Sequence, residues 1–304
     1  MLSAAPETAT AIDAYRTCEL LTLSKDGSPL AWPTSGLLLA DGTFLITTSI
    51  GFPQKAFNVR RDARVAVLFS DPTASGLADP GQILLQGTAT CPDEIHTEPT
   101  GDLAAFWARM FQRQPKSRAY LDWPATRLTD FYFMRLLITV TPTAVSRRSL
   151  PDAAAPPAGG LLGSAVLGGY RTAVLCARDA SGAPLLVRTT IGADARGYRP
   201  AVPPDVAVAE GPASLLVHRH DAQLSGLHNA NVCGDLVRDG DGWLLVPRRL
   251  IEPNGRSRTG AGDAIRTVRT CRATTRRYLQ HRSLSRPEVP WKAYRAIRAA
   301  TPKA

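Results

Sequence analysis

Cysteine is scarce in this 304-residue chain: Cys18, Cys91, Cys176, Cys233 and Cys271 make an odd number with no CxxC pair. That argues against a disulfide framework and against a structural zinc site. Long apolar runs are missing too. No stretch reaches the roughly 20 residues that a membrane helix needs, and Met1 to Thr10 has no basic and apolar leader. A cytoplasmic protein without a membrane partner is expected. GxSxG, HExxH and the P-loop are also absent, which removes the commonest hydrolase and nucleotide-cleaving motifs. No catalytic residue and no metal ligand set is assigned. Acid is nearly lacking at one end. From Ile265 onward, eleven Lys or Arg face a single acid, Glu288, so this segment carries the whole formal charge of +10. It could meet a polyanion, but a solvated helix and tail is the reading adopted, and no nucleic-acid partner is expected.

What the chain does contain is a repeat. Tyr15-Arg16-Thr17 recurs as Tyr170-Arg171-Thr172, and in that register Leu20, Gly27, Pro29 and Leu30 fall on Leu175, Gly182, Pro184 and Leu185. Further on, Ala63, Val67, Asp71 and Ser75-Gly76-Leu77 fall on Ala213, Val217, Asp221 and Ser225-Gly226-Leu227. The register is 155 at the first block and 150 at the second, so five residues disappear between them. A period of half the chain indicates two copies of one domain. The expected organisation is a first domain over 1–149, a linker over 150–169 rich in Pro, Ala and Gly, a second domain over 170–264, and a basic helical segment over 265–304.

Each copy reads mainly as strands. Glu19–Ser24, Leu30–Leu39, Thr43–Thr48, Val65–Phe69, Ile83–Ala89 and Phe131–Val145 are predicted strands, with turns at Asp26-Gly27 and Asp41-Gly42. A short helix is predicted over Pro53–Arg61. Leu103, Phe106, Trp107, Met110 and Phe111 follow helical spacing, so a one-faced helix should end before Pro115. In the basic segment Val268, Cys271, Thr275 and Tyr278 share one helix side. Many short strands with few helices suggest a small barrel.

The phrase Thr47-Thr48-Ser49-Ile50-Gly51-Phe52-Pro53-Gln54-Lys55 places hydroxyls at a strand end, a glycine bend and a lysine opening a helix. Such a phrase can cradle an anion: hydroxyls and free helix N–H groups donate, and the lysine adds a charge. Thr-Thr-Ser can equally be strand propensity, and Lys55 a solvated helix residue.

With the Asp-Gly hairpin before it and Asn58-Val59-Arg60-Arg61-Asp62-Ala63-Arg64-Val65 and Leu85-Gln86-Gly87-Thr88-Ala89 after it, the order resembles the FMN-binding split β-barrel family. These are the pyridoxamine-phosphate-oxidase-like and flavin/deazaflavin oxidoreductases. The resemblance covers about residues 12 to 148, and the second half is a degenerate echo. It implies a mainly β fold of two tandem split barrels paired as an intramolecular pseudo-dimer. It implies that Thr47, Thr48 and Ser49 border the ribityl chain and phosphate, that Gln54 and Lys55 bind the phosphate, and that Trp32, Pro33 and Thr34 line the isoalloxazine. Gln86 would face the ring. FMN is the implied cofactor, with a deazaflavin coenzyme or haem as alternatives.

In the second copy, Tyr198 to Asp205 aligns with the cradle but has lost five residues, sets Asp205 against Lys55 and offers prolines without N–H groups. One competent and one dead site are expected. His218 and His220, two apart on a strand, face one way, and His228, Asn229 and Asn231 follow. They are polar lining, a metal or haem site, or the partner wall of the surviving pocket, with His228 and Asn231 as candidates for that wall. The expected function is a flavin-dependent oxidoreductase acting on a small molecule, as a monomeric pseudo-dimer or a homodimer. The alternatives are a deazaflavin-dependent reductase, a non-enzymatic flavin or haem binder, or a haem-degrading enzyme.

Overall fold

The computed structural model describes residues 6–157, 159–252 and 261–302, the side chains of 261–264 excepted. The first copy opens with helix α1 (Pro6–Ala14) and strands β1 (Cys18–Leu23), β2 (Pro29–Thr34), β3 (Gly36–Leu38) and β4 (Phe44–Ser49). Helix α2 (Gln54–Arg61) leads to β5 (Arg64–Phe69) and β6 (Gly81–Thr90). Helices α3 (Gly101–Arg113) and α4 (Ala125–Leu128) precede β7 (Arg135–Ser149). After α5 (Ser164–Leu167), the second copy runs through β8 (Ala173–Arg178), β9 (Pro184–Thr189), β10 (Ile191–Ala193), β11 (Tyr198–Pro200), β12 (Gly211–Arg219), β13 (His228–Asp239) and β14 (Gly242–Ile251). Helices α6 (Ala261–His281) and α7 (Trp291–Ala300) close the chain.

The duplication is visible in the hydrogen bonding. The first sheet has the order β2-β1-β5-β6-β7-β4-β3, and the second, read from its far edge, is β9-β8-β12-β13-β14-β11-β10. These are the same seven positions in the same antiparallel order. Even an irregularity is shared: the ladder slips between Gln86 and Gly87 opposite Pro142, and between Cys233 and Gly234 opposite Pro247. A Cβ on Gly87 would lie 2.1 Å from the Thr141 oxygen, and one on Gly234 would lie 2.0 Å from the Val246 oxygen. Glycine is required there by close backbone approach.

Strand pairing corrects the second block of the repeat. Leu20 pairs with Val67, and its equivalent Leu175 pairs with Leu215. Val67 therefore corresponds to Leu215, two residues before Val217. The bulge agrees, since Gly87 faces Val65 and Gly234 faces Ala213. A slip of two leaves every side chain on its own face, so apolar alternation does not reveal it.

The barrels pack face to face. β2 lies against β8, β12 and β13, and β9 lies reciprocally against β1, β5 and β6, as a pseudo-twofold axis requires. One core lies inside the first barrel; the other is shared, with Leu21, Leu23 and Ala31 packed among Leu175, Val187 and Leu216. The basic segment belongs to the first barrel's core. Tyr278 of α6 stacks on Phe57, and Tyr294 of α7 meets the rings of Trp107 and Phe133. Cys271 and Thr275 are buried beside Tyr278 on α6, and arginines after α6 and on α7 pair outward: Arg282 with Asp93, Arg286 with Asp130 and Arg298 with Asp122. The strand predicted over Phe131–Val145 lies four residues further on, at Arg135–Ser149. Residues Asp130–Phe133 form a 3₁₀ turn that drives Phe131 and Phe133 into the core, and the strand begins at Arg135.

Candidate functional site

A cavity of about 630 Å³ opens between the barrels. The first copy supplies Trp32, Pro33 and Thr34 from β2, Thr47, Thr48 and Ser49 from β4, and Gln54 and Lys55 from α2. These eight candidates come together. The second copy supplies His218, Arg219 and His220 at the end of β12 and His228 and Asn229 at the start of β13. Thr274 and Arg277 of α6 complete the rim. Two candidates lie elsewhere. Gln86 donates across the barrel interface to the Pro184 carbonyl at 2.9 Å. Asn231 is fully buried and donates to the Ala31 carbonyl at 3.1 Å. Both satisfy backbone carbonyls at the seam, so neither lines the cavity.

The cradle differs in detail from the expectation. The Ser49 hydroxyl donates to the Phe131 carbonyl at 2.6 Å and accepts from the Gly51 N–H, which shapes the bend. The Thr48 hydroxyl donates to the Phe52 carbonyl. The amide of Gln54 donates to Asn58, itself buried and bonded to Thr22. Those groups hold the loop and helix in place: the hydroxyl hydrogens of Ser49 and Thr48 are spent on backbone carbonyls, and Gln54 spends one of its two amide hydrogens on Asn58. Beside the cradle, the charge that faces the cavity is Lys55 together with a residue that the sequence reading missed, Arg135; Arg219 and Arg277 lie at the rim.

Arg135 is 6% exposed. It donates twice to the Thr47 hydroxyl, at 2.9 and 2.6 Å, and once to the Tyr132 carbonyl. Its guanidinium lies 5.1–5.6 Å from the ring centres of Phe106, Trp107 and Tyr132, a cation–π setting. Burial, with the charge of Arg135 second, lowers the Lys55 ammonium to about 8. None of the ion pairs among the described residues includes either cation, and no Asp or Glu lines the cavity. A buried cation beside a half-buried one, with no carboxylate between them, is costly unless an anion joins them. The N-terminus of α2 adds N–H groups free of any side-chain cap.

The opposite wall is also polar. Glu19, fully buried, accepts from Ser70 at 2.9 Å and from Arg188 at 3.0 Å, and its carboxylate lies 2.7 Å from His218 Nε2. His220 Nδ1 donates to the Asp221 carbonyl at 2.9 Å, and its Nε2 meets the Thr17 hydroxyl at 3.1 Å. Burial raises Asp71, but hydrogen bonds from Thr73 and the charges of His218 and His220 outweigh it and hold the carboxyl below its ordinary value. Trp32 Nε1 and Asn229 Oδ1 are buried in this cavity wall without a partner, a donor and an acceptor that a bound molecule would satisfy.

The equivalent place on the other side of the pseudo-twofold axis has no such cradle. After β11 the chain runs through 201–210 without a helix, and Asp205 pairs with Arg148 of the first copy.

Fold and site define a tandem split-barrel protein with a cavity between the barrels that Lys55 and Arg135 line. No family model and no curated protein matches the chain. Solved structures similar to it include a protein of unknown function from Agrobacterium tumefaciens, 26% identical over 48% of this chain and 57% of that one, with a TM-score of 0.32. An F420 reductase is 20% identical over 48% of this chain and 98% of its own, with a TM-score of 0.30. HutZ, a haem storage protein from Vibrio cholerae, is 12% identical over 48% of this chain and 94% of its own, with a TM-score of 0.32. Among the described residues no helix is long and apolar enough to cross a membrane.

Proposed function

We propose that the cavity holds one phosphorylated, flat redox cofactor of the flavin type, and that the protein is an oxidoreductase acting on a small organic molecule. The observation that carries this reading is the buried Arg135 beside the half-buried Lys55 at the N-terminal end of α2, with no carboxylate among the lining residues. The volume suits a cofactor-sized ligand. Lys55, Arg135 and the free N–H groups of α2 would take the phosphate, while Trp32 and Pro33 flank the space beside it. Trp32 Nε1 would donate to a ring heteroatom, and Asn229 Oδ1 would accept from a ring N–H. When bound, such a cofactor supplies hydride or electron transfer. The protein binds, orients and excludes water, and the second copy closes the cavity from the far side.

FMN and a deazaflavin coenzyme share a phosphate and a flat ring. Arg219 and Arg277, exposed at the cavity rim, favour a deazaflavin as the second reading, because an acidic tail would leave the cavity past them. A haem ligand is less well provided for. The histidines at the cavity have their ring nitrogens on protein partners, except His218 Nδ1, which is buried without one.

The absorbance spectrum of the purified protein, and of protein incubated with FMN, separates these readings. Retained FMN or deazaflavin is the expected result. Lys55→Glu should abolish retention, with at least a hundredfold loss of affinity, because it sets an anion against a phosphate in a partly dry site. A haem spectrum, or unaltered retention in Lys55→Glu, would overturn the proposal.

A further inference from the structure

The turn after β12 repeats the turn after β5, but the two place different side chains. β12 runs to Arg219 and β5 to Phe69, so the offset of the strands is taken up before the turn, where Asp71 to Leu77 falls on Asp221 to Leu227. The backbones agree. Asp71 Oδ1 accepts from the Thr73 N–H at 3.0 Å, and Asp221 Oδ1 accepts from the Gln223 N–H at 2.9 Å. Ala74 and Leu224 both have positive φ, 58° and 52°, and so do Gly76 and Gly226, 71° and 62°. In the first copy the Ala74 carbonyl accepts from Arg16, and Leu77 packs on the first barrel's core. In the second copy Leu224 is 3% exposed and lines the cavity, while Leu227, the counterpart of Leu77, is 52% exposed on the same cavity. The first copy adds Met110 and Phe52 to that lining, the latter 51% exposed.

We propose that Leu224 and Leu227 determine specificity, and that the substrate is a neutral molecule with an apolar ring that packs against them and against Phe52. The assignment rests on the redox reading above and names its substrate class. A bulky side chain in the left-handed region is strained, and strain of this kind persists where the surroundings hold it. Here two contacts hold it. Gln114, just after α3, donates to the Leu224 carbonyl at 3.1 Å, and the Ser225 N–H donates to Asp221 Oδ1 at 2.7 Å. The turn is thereby fixed before a ligand arrives, which lowers the ordering cost of binding.

Large apolar side chains left half in water on a cavity gain free energy when a ligand covers them, in proportion to the apolar area removed from water. Leu224, Leu227 and Phe52 offer no hydrogen bond, so a charged or strongly polar group set against them would lose its water without replacement. An apolar ring loses nothing there. The first copy's turn, with alanine at the strained position and its leucine turned into the core, offers no such surface.

The test uses the full chain loaded with FMN and two fluorescent probes of one skeleton, neutral N-phenyl-1-naphthylamine and anionic 1-anilinonaphthalene-8-sulfonate. The neutral probe should bind at least as tightly as the anionic one and, when excited, pass energy to the FMN. Leu224→Ala, which copies Ala74, and Leu227→Ser should each weaken it about tenfold, the worth of a lost leucine contact, with FMN retained. Leu227 is half exposed, so a packing role alone would leave probe affinity unchanged in Leu227→Ser. Leu284→Ser, at a leucine 45% exposed and outside the cavity lining, should change nothing. Three results would overturn the assignment and leave the redox reading standing: unchanged affinity in both cavity variants, displacement of the neutral probe by FMN, or tight binding of the anionic probe alone, which would give the choice of substrate to Arg219 and Arg277. A chain that retains no flavin or deazaflavin removes the redox reading and this assignment with it.

Discussion

At the scale of single residues, the site is defined by charges held out of water. Lys55 illustrates how such a charge reports on itself. Its ammonium is lowered to about 8 by burial first and by Arg135 second, below the ordinary 10.5 of the unfolded chain. Between those values the unfolded state binds more protons than the folded one, so the ligand-free protein gains stability as pH rises through this window. Urea unfolding of wild type and Lys55→Met, compared between pH 7 and 10, should show the wild type improving relative to the variant as pH rises; parallel curves would show that Lys55 is not enclosed. Affinity for a phosphate should move the other way and fall above about pH 8, as the cation is lost. Lys55 was legible in the sequence because it opens a predicted helix after a glycine bend. Arg135 was not. It begins an apolar run after Phe131-Tyr132-Phe133-Met134, and only the pairing of Ser49 with Arg135 brings it to the cradle. The available signal was a cation set among aromatic residues, which have no carboxylate to offer it.

At the scale of elements, the sequence reading of the strands and of α2 and α3 rested on local signals, turn glycines and apolar spacing, and those elements are present. The misplacements were non-local. The end of the repeat was set two residues out because a two-residue slip keeps the pleat, and Gln86 and Asn231 were assigned to the cavity although their partners, Pro184 and Ala31, lie across the seam in the other copy. Nothing local marks a seam between two sheets. The bulge glycines offer a direct test of the corrected register. Gly87→Ala and Gly234→Ala each drive a methyl into a backbone oxygen of the neighbouring strand, which cannot rotate away as a side chain would. Each substitution should cost about 1–3 kcal/mol, measured by denaturant unfolding. Similar penalties would mark the two sites as one structural feature present twice. Tolerance at Gly234 alone would mean that the second bulge is not equivalent to the first.

At the scale of the whole molecule, the two copies differ at the position of the cavity, and the differences come from both copies. No helix corresponds to α2, and the place of Arg135 is taken by Gly240, since Val140 and Leu245 are equivalent through their pairing with Phe44 and Tyr198. Counted from the bulge glycines, the facing wall there presents Gly81 in place of His228. Asp205 is bound to Arg148 and tethers the 201–210 loop to the first copy. Titration of the protein with FMN should therefore end at one equivalent per chain. Replacing the acid should not restore the second site. Asp205→Lys removes a repelling charge, yet it supplies neither helix N–H groups nor a second enclosed cation, and it breaks the tie to Arg148. One equivalent is expected in that variant as well, with some loss of stability. A second equivalent gained by Asp205→Lys would mean that a single charge decides occupancy, and that helix α2 and Arg135 contribute less to anion binding than their placement implies.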